Sequence, residues 1–292
     1  MSEYRQLRLA RLRAVQNADG GWGYFPGKQS WLEPTCYALL ALYKDAPSQA
    51  AWDRAWRLMR SWQNADGGWR PNAVVPHANW TTALCVTLHC IHGVFDGQFG
   101  KGVDWLLSTR GNEGSLLERA VAIVQPLVEY DRRFKGWPWT PDASSWIEPT
   151  AHSLLALKKV RRSQPHLATG KLAERIQEAE SMLADRRSKD GGWNHGNKRV
   201  LYTDLPSYPE TTGVALMSLQ GSPVDVASGV ALAERYLKSE HSRLASAWLS
   251  ISLRNFGRDP GPPAEAEPAS DLMVTALEAL STAQGGHQWL MA

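Results

Sequence analysis

Three glutamates sit in one local pattern. Ser30 precedes Glu33, Ser145 precedes Glu148 and Ser207 precedes Glu210 by three residues, and each stretch runs on into an apolar segment. Ser-x-x-Glu is a capping box, in which two side chains satisfy orphan N–H groups at a helix start. Pro34 and Pro149 offer a variant. Proline prefers the first helical position and restrains the residue before it, so Glu33 and Glu148 can be the caps themselves. The same residues also suit acid chemistry. Burial among apolar groups raises a carboxyl pKa, while a helix N-terminus favours the anion. Where burial prevails, the group is a Brønsted acid at neutral pH. Glu148 is the candidate acid, with Asp142, Asp204 and Glu210 as acidic neighbours able to hold its proton on.

Aromatic residues accompany the acids. Trp31, Trp80, Trp146 and Tyr208 stand at the starts of the apolar segments, and Trp137 and Trp139 flank Pro138 ahead of Glu148. Aromatic faces attract cations, by ~0.5 kcal/mol when exposed and ~2 or more when desolvated. With Glu33 they are the ligand-binding candidates of a cavity that handles carbocations. Packing between loop and helix is the alternative reading. Cys85, His89 and His92 fall at i, i+4 and i+7. Such a row offers three zinc ligands, or simply a core-facing stripe. No phosphate loop, dinucleotide fingerprint or serine nucleophile elbow is present.

The elements that position these residues repeat. Gln16-Asn17-Ala18-Asp19-Gly20-Gly21-Trp22 returns unchanged at Gln63–Trp69, and its last four residues return as Asp190-Gly191-Gly192-Trp193. A sequence that copies itself is built from stacked units. The glycine pair suits a helix end, where positive φ is needed, and the aspartate can bond nearby N–H groups. Leu32, Cys36, Leu39, Leu40 and Tyr43 follow helical spacing. Strand signals are nearly absent. The pattern predicts six or so helical hairpins closing into a ring, an all-α (α/α)6 toroid spanning residues 1–292 as one domain. Inner helices would run parallel inside outer ones. Asn79-Trp80-Thr81 and Asp271 open further inner helices. Leu116 to Tyr130 fits either layer, and Phe256 to Ser270, with four prolines, reads as a loop crossing one mouth of the ring.

Gln-x-x-Asp-Gly-Gly-Trp ahead of a helix resembles the QW motif of squalene–hopene cyclases and other class II terpene cyclases, with a looser version in protein prenyltransferase β subunits. The resemblance spans most of the chain and implies the toroid. It also implies a central cavity for an apolar isoprenoid or polycyclic molecule, and proton-initiated cyclisation or isomerisation without cofactor or metal. In that family Asp-x-Asp-Asp-Thr-Ala opens an inner helix, and its middle acid is the proton donor. Trp146-Ile147-Glu148-Pro149-Thr150-Ala151 matches it, with Glu148 on the donor's position and Trp146 and Pro149 replacing the flanking acids. The zinc-binding Asp-x-Cys of the prenyltransferases does not occur. Loss of the flanking acids fits a second reading, a catalytically degenerate toroid that binds a partner protein, as a second subunit or a homodimer. Carbohydrate chemistry is a third, since (α/α)6 rings also host it with paired acids.

Composition narrows the classes. Hydrophobic residues make up 43% and charged residues 21% of 292, which suits a chain with a full core. A net charge of +3 is too mild to argue for nucleic acid. No stretch reaches the roughly 18 apolar residues of a membrane span, which leaves room for peripheral membrane contact only. Three unpaired cysteines and an arginine-studded start lead to an expectation of a cytoplasmic protein.

Overall fold

The computed structural model describes residues 2–114, 130–168, 170–264, 266–284 and 286–292. The segment left open by the sequence, Leu116 to Tyr130, lies almost wholly outside the described residues. Eleven α-helices occur among them. In chain order they are α1 (Glu3–Ala14), α2 (Leu32–Leu42), α3 (Gln49–Ser61), α4 (Thr82–His92), α5 (Gly97–Ser108) and α6 (Ile147–Ser163). Then follow α7 (Gly170–Asp185), α8 (Pro209–Ser218), α9 (Ala227–Ser239), α10 (Arg243–Asn255) and α11 (Leu272–Ser281). The strands are two-residue pieces, β1 (Arg199–Val200) and β2 (Thr203–Asp204), paired antiparallel.

Composition sorts the helices into two layers. Every residue of α2 except Glu33 is buried, whereas α3 buries only the stripe Ala51, Trp52, Ala55 and Met59. A helix apolar all round belongs inside, and an amphipathic one belongs at the surface. Accordingly α2, α4, α6, α8, α10 and α11 each pack on the next, and α11 returns to α2. That closed ring carries α1, α3, α5, α7 and α9 on its outside. The expected all-α toroid is what the chain forms.

The corners between layers explain the repeat. In each of four, the tryptophan indole N–H donates back to the last turn of the preceding outer helix. Trp22 reaches the Leu12 carbonyl at 2.9 Å, Trp69 that of Met59 at 2.9 Å, Trp137 that of Leu106 at 3.0 Å and Trp193 that of Leu183 at 2.7 Å. These are carbonyls that a helix end leaves without an internal partner. The same tryptophan's backbone N–H donates forward to a threonine on the next inner helix: Thr35, Thr82, Thr150 and Thr212, at 2.8–3.1 Å. Gln16 and Gln63 donate onward to carbonyls of the next outer helix, Ala51 at 2.8 Å and Gln98 at 2.7 Å. In the first two corners tryptophan and glutamine together thus join three helices. Gly67 holds φ +92° in the second corner, and a Cβ there would strike the Lys101 carbonyl.

The sixth sector departs from expectation. Phe256 to Ser270 does not cross a mouth. Its carbonyls are held against the outer wall, Ala266 by Arg8 at 2.8 Å, Glu267 by Arg243 at 2.7 Å and Gly261 by Arg254 at 3.1 Å. It lies where an outer helix between α10 and α11 would stand, and its prolines forbid that helix. Beneath it the buried Glu278 carboxylate bridges Arg8 at 3.0 Å and Arg243 at 2.5 Å, which is how a charge survives inside a wall.

Candidate functional site

Inner helices start at one mouth of the ring, and their first turns build the site. Glu33, Glu148 and Glu210 each take the second position of α2, α6 and α8. The capping box does not form. The N-cap residues are Trp31, Trp146 and Tyr208, none with a side-chain cap bond. The serines belong to the corner loops instead. Ser30 donates to Asp19 at 2.8 Å, Ser207 donates to Asp190 at 2.8 Å, and Ser145 accepts from the Gly136 N–H at 2.9 Å. Nor do Glu33 and Glu148 cap as N-cap residues, because both lie inside their helices. Released from capping, the three carboxyls turn inward.

They line one pocket together with Leu244 and Met273, the second residues of α10 and α11. Counting four residues on, one helical turn deeper, gives its floor: Tyr37, Val214 and Trp248. Four residues beyond Glu148 comes His152, which is fully buried. Its Nε2 lies 3.1 Å from the Tyr37 hydroxyl. The Trp80 ring, at 5.2 Å, and the Trp248 ring, at 5.7 Å, pack on its imidazole. Burial pushes His152 down to about 3, so it is neutral. The hollow above this floor is about 40 Å³, room for a few water molecules.

Electrostatics at the mouth favour a retained proton. Burial pushes Glu148 up to about 8, and repulsion from Glu33 and Glu210 adds to it. Burial also raises Glu33, to about 7, against a hydrogen bond donated by Tyr24 that works the other way. Asp271 is raised by burial even though it caps α11, accepting from the Met273 N–H at 2.8 Å. Glu33 and Glu148 are half-buried as residues, but protein atoms surround their carboxyls. Desolvation therefore outweighs the helix N-termini here. At neutral pH Glu148 is a carboxylic acid.

Other sequence candidates fall in different places. Trp31, Trp146 and Tyr208 stand at the mouth as N-caps. Trp80 and Trp139 form an edge-on pair at 5.2 Å. Trp137 is no lining residue. It is fully buried as the third corner, under the Arg175 guanidinium at 3.8 Å. Asp142 is exposed at φ 66° on the loop before α6 and lines no part of the pocket. Asp204 is on β2, paired with Lys189 at 2.5 Å. The Cys85, His89, His92 row disperses. Cys85 faces Cys36 at 4.0 Å, His89 bonds the Val94 carbonyl at 2.9 Å and His92 packs on Trp52. Among the described residues no three His, Cys, Asp or Glu side chains are arranged for a metal.

Sequence reading missed Tyr24, Tyr37 and Trp248, and set His152 aside as an isolated histidine with no role. Tyr37 and His152 had a signal, since each follows a candidate glutamate by one helical turn. The corner threonines had one too, standing thirteen residues after Trp22, Trp69 and Trp137. Behind Trp193 the hairpin of β1 and β2 stretches the interval to nineteen.

No protein-family model matches the chain. Over 90 residues it is 36% identical to drimenyl diphosphate synthase of Streptantibioticus cattleyicolor, a match covering 28% of this chain and 17% of that protein's length. The fold is that of class II terpene cyclases. The chain superposes on type II terpene cyclase MstE from Scytonema, solved with geranylgeranyl dihydroxybenzoate, with TM-score 0.56, 18% identity, and coverage of 97% of this chain and 79% of that one. It is equally similar in shape to the GH76 α-mannanase BT2949 of Bacteroides thetaiotaomicron, with TM-score 0.57, 10% identity, and coverage of 98% and 93%.

Proposed function

We propose that this chain binds an apolar isoprenoid-type molecule at the acid-lined mouth and protonates it, with Glu148 as the acid, in a redox-neutral cyclisation or isomerisation. The observation that carries this reading is the Glu148 carboxyl, buried beside Glu33 and Glu210 and raised to about 8. Its O–H bond breaks as a C–H bond forms on an alkene carbon, and the π electrons supply that new bond. The cation left on the adjacent carbon meets Tyr37 and Trp248 in the pocket, with Trp31, Trp146 and Tyr208 at the inner-helix starts above, and aromatic faces lower its energy. Loss of a proton from a neighbouring carbon to water at the mouth ends the reaction and Glu148 regains a proton from solvent, so nothing is oxidised or reduced. The small hollow admits the reacting end of the molecule, and the remainder lies across the mouth.

Shape alone does not separate alkene chemistry from sugar chemistry, given the mannanase likeness. The pocket lining does favour one. Beside the acids, Tyr37 and Thr211 stand Val214, Leu244, Trp248 and Met273, and a sugar would leave the hydroxyls facing these last four without partners. The local identity to drimenyl diphosphate synthase points the same way. The narrowness of the hollow favours, as a second reading, a toroid that binds its ligand or a partner subunit without turnover.

One experiment separates these. The purified protein is incubated in deuterated water with a panel of prenylated phenols and linear polyprenyl compounds, and products are read by mass spectrometry. The proposal predicts a product with one deuterium on carbon, lost in Glu148→Gln. Binding without deuterium uptake would overturn catalysis and leave the binding toroid. Turnover of a mannoside panel instead would overturn the isoprenoid class.

A further inference from the structure

Every inner helix but one lines the hollow at the mouth. From their first turns α2 gives Glu33, α6 gives Glu148, α8 gives Glu210, α10 gives Leu244 and α11 gives Met273. Among the described residues α4 gives none. In ring order α4 packs between α2 and α6, so its share of the wall falls between Glu33 and Glu148. Trp80 stands there, two residues before Thr82 as Glu33 is two before Thr35 and Glu148 two before Thr150. Its indole is 4% exposed, packs on the His152 imidazole at 5.2 Å and meets Trp139 edge-on at 5.2 Å.

We infer that Trp80 sets the width of the molecule the mouth accepts, by filling the sector between Glu33 and Glu148 that would otherwise belong to the pocket. This role rests on the proposed reading of the mouth as a site for an apolar ligand, and not on turnover. The hollow holds about 40 Å³, whereas pockets that enclose a small molecule run from roughly 300 Å³ upward. With the indole in place only the slender end of a chain enters.

The indole is there for its bulk. A buried tryptophan N–H ordinarily finds an acceptor, and those of Trp22, Trp52, Trp69, Trp137 and Trp193 each donate to a helix carbonyl. The Trp80 N–H donates to no group among the described residues. Beside it, His152 Nδ1 is buried and has no hydrogen-bond partner among them either. A buried polar atom left so costs stability, and its surroundings suit a ligand that brings one oxygen. Without the indole the pocket would therefore take a compact ring or cage bearing a hydroxyl, rather than the tip of a linear chain.

The test sets two probes against three variants. Farnesol is slender and linear, and adamantanol is a compact cage with one hydroxyl. Calorimetric titration should show the native chain binding farnesol and scarcely binding adamantanol. Trp80→Ala should bind adamantanol roughly tenfold more tightly than the native chain does, and methyladamantane, which lacks the hydroxyl, should gain less. Trp80→Phe should fall between, and it carries the comparison if the alanine variant does not fold. Trp56→Ala, which removes an indole from α3 in the outer layer, should bind as the native chain does. A crystal structure of Trp80→Ala should show one hollow running from Glu148 to His152. Adamantanol affinity unchanged in both Trp80 variants, an equal gain in Trp56→Ala, or a new cavity sealed off from the hollow would each overturn the inference. Adamantanol binding restricted to the Trp80 variants, with no farnesol binding by any form, would instead overturn the isoprenoid reading and leave the assignment of Trp80 standing.

Discussion

Two positions on the inner helices, two residues apart, follow opposite rules. At one stands threonine five times: Thr35, Thr82, Thr150, Thr212 and Thr275. In four of these the hydroxyl receives a corner tryptophan's N–H, and in the fifth it donates to the Ala269 carbonyl at 3.0 Å. Two residues earlier stand Glu33, Trp80 (just ahead of α4), Glu148, Glu210 and Met273. The threonine faces outward to a corner whose geometry is the same in each repeat. The earlier position faces the mouth, where no repeat constrains it. The ring is thus held together by what its repeats share, and its chemistry resides where they differ.

That contrast can be broken at the corners first, where the largest effect is expected. Trp69→Ala should cost about 3–5 kcal/mol, since it empties a buried site and strands the Met59 carbonyl and Gly102 packing. The melting temperature should fall by on the order of 10 °C. A loss under about 1 kcal/mol would show that corners do not fasten the ring.

At the mouth, pH supplies a sharper probe. Native Glu148 holds its proton up to about 8, whereas its ordinary value is 4.5. Between those values the native state binds more protons than the unfolded chain, so stability falls as pH rises through the window. The cost is fully present above pH 8. Glu148→Gln carries no such cost, and should exceed the native chain by roughly 1–3 kcal/mol near pH 9, allowing for water at the opening. The gap should close as pH drops towards 5. His152 acts in the opposite sense, because its depressed value costs stability as pH falls below about 6.5. Comparing variant with native at each pH cancels it. Thermal melts showing a pH-independent difference would dismiss the buried acid.

Smaller effects sharpen the comparison. Thr150→Val leaves the Trp137 N–H buried without its acceptor at 3.0 Å, and should cost about 1–3 kcal/mol. Thr150→Ser keeps the hydroxyl and should recover most of it in denaturant titrations. Smallest is Tyr24→Phe. It removes the one hydrogen bond lowering Glu33, so the Glu33 carboxyl should titrate at higher pH by NMR, with stability changed by about 1 kcal/mol or less. A downward shift would mean that Tyr24 does not donate to it.

The ring was legible in the sequence because seven residues copy themselves outright, and the copied Gln, Asn, Asp and Trp side chains each have a bond to make. The third corner was harder to see. It keeps Gly136-Trp137 without the preceding Gln-x-x-Asp, so Trp137 read as a cavity residue. The glutamates were ambiguous for a different reason. Ser-x-x-Glu has the right spacing for a cap, and what decides against it is a bond from Ser30 to Asp19 or Ser207 to Asp190, outside the local window. The prolines of residues 256–270 exclude a helix but carry no information on where the chain then lies. Glu33 and Glu210 as neighbours of Glu148 depend on closure of the ring, which brings distant first turns together. Only Glu210 was anticipated as such a neighbour.

The account rests on a proton held by Glu148 at neutral pH. Infrared spectroscopy of the native chain and Glu148→Gln, titrated from about pH 6 to 10, reads that proton directly through the carbonyl band of an un-ionised carboxylic acid. The proposal predicts one component that disappears with a midpoint near 8 and is missing from the variant, beside a Glu33 component with a midpoint near 7 that both proteins keep. A native chain without the component near 8, or one whose component near 8 survives the substitution, would contradict it.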